Sequence, residues 1–196
     1  MPATYGILGG TFDPPHLGHL ALADAAHESL GIDALFVVPA AQAPLRDGAP
    51  GASEADRLAM VALAFADRPW ARVDAREMRR GGTSWSIDTA RELVAENPGA
   101  RLVWILGSDQ LQKLDRWKDA TELCRLVEFA VFSRSGLGVE PPAALRGIAR
   151  VTVLRVAETP LSSTAIRESL RKGPPARNGL PPAVAALIEE RRLYRD

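Results

Sequence analysis

The 196-residue chain has the length of one domain, or of one domain with a small appendage. Its 24 Lys and Arg residues balance 24 Asp and Glu residues, so the charge gives no reason to expect a nucleic-acid partner. A hydrophobic fraction of 46% with 24% charged residues is typical of a chain that forms a core, and it excludes disordered, collagen-like and disulfide-rich proteins. The single cysteine, Cys124, permits neither an intrachain disulfide nor a cysteine-rich metal site.

Neither the opening stretch nor the apolar runs indicate secretion or membrane insertion. The opening stretch, MPATYGILGG, lacks a basic segment followed by a long apolar one, so we expect no secretory signal. The best apolar run, residues 34–41, is far shorter than the roughly 18 residues that suggest a membrane span. We therefore expect a reduced, soluble, cytoplasmic protein without a membrane partner.

Short apolar runs alternate with longer amphipathic ones along the whole chain. The apolar runs are nearly continuous rather than alternating, which favours strands buried on both faces, as in a parallel sheet. The predicted strands, of which the third is the weakest, are residues 5–9, 34–38, 71–74, 101–106, 128–132 and 151–156.

Helix patterns lie between and after these strands. The second begins at a capping residue, Ser53, with the acidic Asp56 three positions on. Its predicted buried stripe is Leu58, Val61, Ala62 and Phe65. The predicted helices are residues 17–30, 53–65, 86–96, 120–127, 163–172 and 182–194. The alternation predicts an α/β fold, a Rossmann-like doubly wound parallel sheet, as a single domain over residues 1–196 with a small C-terminal helical part at 161–196.

Ligands of such a sheet bind at the carboxyl ends of its strands. The site loops expected on that basis are residues 9–11, 39–47, 107–109 and 133–134.

The first predicted strand leads into Gly9-Gly-Thr-Phe-Asp-Pro-Pro-His16-Leu-Gly-His19. Glycines at a strand end let the backbone approach a ligand closely. His16 and His19 share one face at a helix start, where backbone N–H groups and the helix dipole favour phosphate. This combination favours phosphoryl-type transfer, which needs positioning and charge neutralisation more than a protein nucleophile. The alternatives are a helix cap, a surface histidine or the start of a zinc site, but no further ligand stands at zinc spacing, and we expect no protein-built metal site.

The segment resembles the (T/H)xGH signature of the nucleotidylyltransferase superfamily. Near the other end, Leu161-Ser-Ser-Thr-Ala-Ile-Arg167 resembles that superfamily's second signature, I-S-S-T-x-I-R. Intervening segments are similar to those of bacterial nicotinate-nucleotide adenylyltransferases. They are Ser84-Trp-Ser-Ile-Asp-Thr89, Ile105-Leu-Gly-Ser-Asp-Gln110, Arg116-Trp117 and Leu193-Tyr194.

The resemblance implies transfer of the adenylyl group of ATP to nicotinate mononucleotide, with deamido-NAD and pyrophosphate as products and Mg2+ bound through the ATP phosphates. It implies that His16 and His19 contact the triphosphate and stabilise charge on the α-phosphate. The other implied ATP contacts are Gly9, Gly10, Thr11, Gly18, Gly107, Asp109, Arg134, Ser162, Ser163 and Arg167. The implied contacts to the mononucleotide are Phe12, Arg46, Ser84, Trp85, Ser86 and Trp117.

Simpler roles compete at several of these positions: helix capping for Ser162, Ser163 and Asp109, and a solvated surface position for Arg134. The chain also departs from the family pattern, because Pro44-Leu45-Arg46 stands where the family usually has Pro-His-Lys or Pro-His-Arg.

Alternative functions are a same-fold transferase with another acceptor, namely nicotinamide mononucleotide or phosphopantetheine, and a non-catalytic nucleotide-binding sensor. The residues 84–86 and 116–117 favour a pyridine acceptor. The sequence is compatible with a homo-oligomer but does not determine the oligomeric state.

Overall fold

The computed structural model describes residues 2–44, 48–132, 138–155, 161–172 and 179–195. Six apolar runs form one parallel sheet with the strand order β3-β2-β1-β4-β5-β6. The strands are β1 (Thr4–Gly10), β2 (Ala34–Pro39), β3 (Ala71–Val73), β4 (Arg101–Gly107), β5 (Glu128–Phe132) and β6 (Val151–Leu154). The expected α/β class and doubly wound sheet are confirmed.

Helices connect the strands in the described part of the chain. They are α1 (Leu17–Leu30), α2 (Glu54–Phe65), α3 (Arg76–Arg80), α4 (Ser86–Glu96), α5 (Ser108–Leu111), α6 (Ala120–Leu126), α7 (Ser163–Arg171) and α8 (Pro182–Glu190). Short 3₁₀ turns occur at Leu114–Arg116 and Ala143–Leu145. Within these described residues, no helix combines the length and the apolar character that a membrane crossing requires.

Two helix predictions differ from the structure. The last helix ends at Glu190 rather than at residue 194, because Arg192 and Tyr194 take positive φ values of 52° and 65°, which no α-helix continues. The buried face of α2 also differs from the predicted stripe: Ala62 is exposed and Leu58 is half-buried. The buried residues of α2 are Arg57, Met60, Val61, Ala64 and Phe65.

The core lies on both faces of the sheet, because successive strand residues point to opposite sides. Leu8 belongs to the layer that α1, α2, α7 and α8 cover, and its neighbour Ile7 to the layer that α4 and α6 cover. Burying such a side chain contributes roughly 1.5–3 kcal/mol to the stability of the fold.

The position of β1 creates the crevice in which a ligand can bind. From β1 the chain proceeds outward to β2 and β3, and it then returns to place β4 on the other side of β1. Connections leave the carboxyl ends of β1 and β4 in opposite directions, and this switch point is where doubly wound sheets bind ligands. Gly9 and Gly10 end β1, and Gly107 ends β4, so the sheet brings these glycines to the crevice.

Candidate active site

Two cavities meet at the carboxyl edge of the sheet. The first, of about 400 Å³, is lined by the ends of β1 and β4, by residues 84–86 and by Trp117. The second, of about 510 Å³, is lined by residues 11–13, by Gly51 and by the first turns of α7. Thr11 and His19 line both cavities, so ligands in the two cavities would meet beside these residues.

The rings of the two signature histidines pack against each other, tilted by 32°, at the start of α1, and the two residues differ in exposure. Their ring centroids lie 3.8 Å apart, and the Phe12 ring lies 5.0 Å from His19. His16 is only 2% exposed and lines neither cavity. The His16 N–H donates to Nδ1 of His19 at 3.0 Å, so the proton of a neutral His19 ring resides on Nε2. Nε2–H is therefore the hydrogen-bond donor that His19 offers a ligand.

Asp13, within the first signature, is a completely buried carboxylate that joins three parts of the chain. It accepts hydrogen bonds from the N–H groups of Gly51 at 2.9 Å and Ala52 at 3.0 Å. It also accepts one from the Tyr194 hydroxyl at 2.9 Å. Burial raises the pKa of Tyr194, and the negative charge of Asp13 raises it further, so the phenol remains a donor at neutral pH. The sequence analysis did not identify this role of Asp13, because all three partners are distant in sequence.

The second signature begins α7 and contacts the first signature directly. The Ser162 hydroxyl accepts the Ala165 N–H at 3.1 Å and so caps the helix, and Ser162 does not line the second cavity. The Ser163 hydroxyl donates to the Pro14 carbonyl at 2.9 Å, and Ser163 does line the cavity. The two motifs, at opposite ends of the sequence, thus form one wall.

Arg167 gives the second cavity its positive charge close to Asp13. Its guanidinium donates to the Asp13 carbonyl at 2.7 Å and lies 3.6 Å from the Asp13 carboxylate. Thr164 and Arg171 also line the cavity, although the sequence analysis named neither. Guanidinium groups, hydroxyls and a helix N-terminus together favour a phosphate ligand.

Arg57 of α2 is a buried support for both loops that end at the crevice. Its side chain is completely buried and donates to the carbonyls of Thr11 at 2.8 Å, Ala40 at 2.6 Å and Ala41 at 3.3 Å. These carbonyls belong to the loops after β1 and β2, so the guanidinium fixes the two loops relative to each other. Sequence reasoning missed Arg57, because an arginine beside an apolar stripe is normally solvent-exposed.

The residues 84–86 form the wall of the first cavity at the start of α4. The Ser84 hydroxyl accepts the Ala41 N–H at 2.9 Å and hydrogen-bonds the buried Glu77 carboxylate, so it ties two loops together. Burial raises the pKa of Glu77, and hydrogen bonds from Thr89 and Ser84 oppose that rise. Ser86 is the first residue of α4, where backbone N–H groups have no partner within the helix and favour an anion.

Aromatic rings frame the same cavity. Trp117 packs edge-to-face on Trp104 with ring centroids 6.2 Å apart, and Lys118 Nζ lies 5.6 Å from the centre of the Trp85 ring. The Trp117 Nε1–H is buried without a hydrogen-bond acceptor among the residues that the structure describes. An acceptor on a bound ligand would satisfy this donor.

Gly107, at the end of β4, lies directly beside the carboxylate of Asp109. A Cβ atom on Gly107 would lie 2.5 Å from Oδ1 of Asp109, so a side chain at position 107 would displace this carboxylate from its present position. Both residues line the first cavity. Gly18, in the first turn of α1, lines neither cavity. Arg46 and Arg134 lie outside the described residues, as do residues 45–47 of the expected site loop 39–47 and the whole of the loop 133–134.

Comparisons with known proteins show which family the chain resembles. A model of the cytidylyltransferase-like family matches residues 7–169. A probable nicotinate-nucleotide adenylyltransferase of Synechococcus sp. (strain JA-3-3Ab) is 41% identical over 196 residues, covering 97% of this chain and 94% of the relative. One of Shouchella clausii (strain KSM-K16) is 39% identical over 191 residues, covering 97% of this chain and 96% of the relative.

Solved structures share the fold at low sequence identity. The Plasmodium falciparum nicotinic acid mononucleotide adenylyltransferase complexed with NaAD has a TM-score of 0.80 at 16% identity, covering 98% of this chain and 97% of that chain. Because the family model matches residues 7–169, the chain belongs to the cytidylyltransferase-like family. Within that family it is a member of the nicotinate-nucleotide adenylyltransferases, as the sequence analysis expected.

Proposed function

We propose that the protein transfers the adenylyl group of ATP to nicotinate mononucleotide and forms deamido-NAD and pyrophosphate. The observation that carries this proposal is the junction of two cavities at Thr11 and His19. One cavity offers aromatic rings and helix N–H groups, and the other offers guanidinium groups and hydroxyls. A reaction that joins a mononucleotide to a triphosphate needs both environments to meet at the reacting phosphorus.

We propose that the first cavity binds the nucleoside parts of both substrates, the mononucleotide and ATP. We infer that the nicotinate ring stacks on Trp117 and that its carboxylate accepts hydrogen bonds from the N–H groups that begin α4 and from the Ser86 hydroxyl. We propose that Asp109, beside Gly107, accepts hydrogen bonds from the ribose hydroxyls of the adenosine. Arg46 is proposed to contact the mononucleotide phosphate, and Arg134 the phosphates of ATP.

The second cavity is proposed to hold the β- and γ-phosphates. Arg167 and Ser163 lie on its wall with His19 at its inner end. A phosphate oxygen of the mononucleotide attacks the α-phosphorus, forming a new P–O bond. The bond from the α-phosphorus to the bridging oxygen breaks, and its electron pair leaves with pyrophosphate. No covalent enzyme intermediate is needed.

His19 is proposed to stabilise the charge that develops on the α-phosphate oxygens. Its Nε2–H is a donor already oriented by the bond from the His16 N–H to Nδ1. A donor fixed in advance stabilises a transition state without reorganisation. His16 is proposed to act with it, through its stacked ring and its backbone N–H.

Nucleotidyltransferases of this family generally use a divalent cation with ATP, and we propose that Mg2+ is the cation here. Among the described residues, no group of three or more His, Cys, Asp or Glu side chains could hold a metal. The Asp13 carboxylate already accepts three hydrogen bonds, so triphosphate oxygens and water are the ligands that suit the ion. When bound, the ion neutralises charge on the leaving pyrophosphate.

We also propose that the chain forms a single domain and works in the cytoplasm. Residues of α7 and α8 belong to the same core cluster as residues of α1 and α2, which supports one domain. A reaction that consumes ATP supports the cytoplasmic location.

The experiment that tests the function is pyrophosphate release from ATP and Mg2+ with each acceptor in turn. We expect release with nicotinate mononucleotide, much less with nicotinamide mononucleotide and none with phosphopantetheine. Equal catalytic efficiency on the two pyridine mononucleotides would contradict the acceptor assignment. No release with any acceptor, together with ATP binding, would favour the nucleotide-binding sensor instead.

A further inference from the structure

The C-terminal segment reaches the wall of the second cavity. After α8 the chain turns back, and Tyr194, at φ 65°, places its ring against Gly51, where a Cβ atom would lie 3.1 Å from the ring carbons. Tyr194 is 6% exposed, and its hydroxyl donates to Asp13, 181 residues earlier, at 2.9 Å. The cavity wall therefore depends on a contact between the two ends of the sequence.

We propose that Tyr194 is a positioning residue for the triphosphate, which acts through Asp13 on Arg167. The inference rests on the proposed function, because it takes the second cavity as the phosphate site.

The charge of Asp13 links Tyr194 to Arg167. This buried carboxylate lies 3.6 Å from the Arg167 guanidinium. Its oxygens also accept hydrogen bonds from the N–H groups of Gly51 and Ala52 and from the Tyr194 hydroxyl. A carboxylate that receives more hydrogen bonds has less charge left to attract a neighbouring cation. With the hydroxyl present, Arg167 is therefore freer to interact with a ligand in the cavity.

Loss of the hydroxyl shifts that balance. Asp13 would then draw the Arg167 guanidinium toward itself, so the cation would interact less with the triphosphate. The high pKa of Tyr194 keeps the donor protonated across the neutral range, so the effect does not depend on pH there.

The test is Tyr194→Phe, which removes one oxygen atom and keeps the ring. We expect the Kd for ATP, measured by calorimetry with Mg2+ and no acceptor, to rise about five- to tenfold. The KM for the mononucleotide and the kcat should stay within about twofold, because the first cavity is untouched. An unchanged Kd for ATP in a folded variant would overturn the proposal.

Arg191→Ala is the matched control for a merely structural role. Arg191 anchors the same C-terminal segment through a 2.6 Å ion pair with Asp56, and it does not line the second cavity. It should leave the Kd for ATP unchanged. If Arg191→Ala weakened ATP binding as much as Tyr194→Phe does, a general loss of order in the C-terminal segment would explain both results. The proposal would then be wrong.

The double variant tests the route through Arg167. In an Arg167→Ala background, Tyr194→Phe should change the Kd for ATP by less than about twofold, because the residue it acts on is gone. Fully additive losses would refute that route. Because ATP binding is measured without an acceptor, a wild-type protein that binds ATP but adenylates no mononucleotide would contradict the proposed function alone.

Discussion

His19 lies where the two cavities meet, and its replacement by alanine tests the proposed chemistry. Removing one preorganised donor to a developing oxyanion lowers kcat by about 10²–10³, roughly 2.7–4 kcal/mol. Because Nδ1 is engaged by the His16 N–H at 3.0 Å, His19 offers a single neutral donor through Nε2. We therefore expect a decrease near the lower limit, about a hundredfold in kcat. The KM for nicotinate mononucleotide should change by less than about threefold, because the contact strengthens only as charge develops.

The assay is steady-state pyrophosphate release with both substrates varied, and His27→Ala is the matched control. His27 lies on the same helix, stacks on Trp70 at 4.2 Å and hydrogen-bonds the Ile32 carbonyl at 3.1 Å, remote from both cavities. It should keep wild-type kcat. An unchanged kcat with only a higher KM in His19→Ala would refute the transition-state role. Thermal unfolding separates this effect from the lost bond at the start of α1, which we expect to cost about 1 kcal/mol.

Arg167→Ala should raise the KM for ATP about tenfold through the loss of a charge-assisted phosphate contact. Weaker mononucleotide binding with unchanged ATP binding would show that the second cavity is wrongly assigned. Ser86→Ala should reduce the preference for the nicotinate over the nicotinamide mononucleotide, measured as the ratio of kcat/KM values, and an unchanged ratio would remove Ser86 from acceptor recognition. Arg57→Met should lower the free energy of unfolding by about 3–5 kcal/mol in urea titrations, because three carbonyls lose their buried donor. The exposed Arg72→Met should change it by less than about 0.5 kcal/mol, and equal losses would show that burial of Arg57 is not the cause.

The strands could be predicted because each is marked by a local signal. The run at 128–132 is apolar after Glu128 and coincides with β5, and the glycines at the end of the first run coincide with the end of β1. The short α3 could not be predicted in this way, because Arg76–Arg80 has no apolar stripe. Ion pairs from Arg76 to Asp74 at 2.6 Å and to Glu96 at 2.8 Å hold it, and such pairs appear only when the fold is known.

Many of the residues that line the two cavities could be named from the sequence, but the contacts that support them could not. Periodicity predicts correctly that Val61 and Phe65 are buried, but the rule that arginines face solvent leaves Arg57 out of the buried face of α2. Arg57 is instead completely buried, because the carbonyls of the loops after β1 and β2 supply acceptors for its guanidinium. Asp13 lies within the first signature, yet its contact with Tyr194 spans 181 residues and leaves no local pattern.

The two signature histidines show most directly what residue spacing alone cannot predict. Residue type and position make His16 and His19 equivalent, and the family resemblance assigns both to the triphosphate. The structure separates them: His16 is 2% exposed and directs its backbone N–H at His19, whereas His19 lines both cavities. His16 is the N-cap of α1 and His19 lies in its first turn, so the His16 N–H reaches Nδ1 of His19 and thereby fixes the tautomer of that ring. The motif therefore encodes an oriented donor and the residue that orients it, a division that only the hydrogen bond between them reveals.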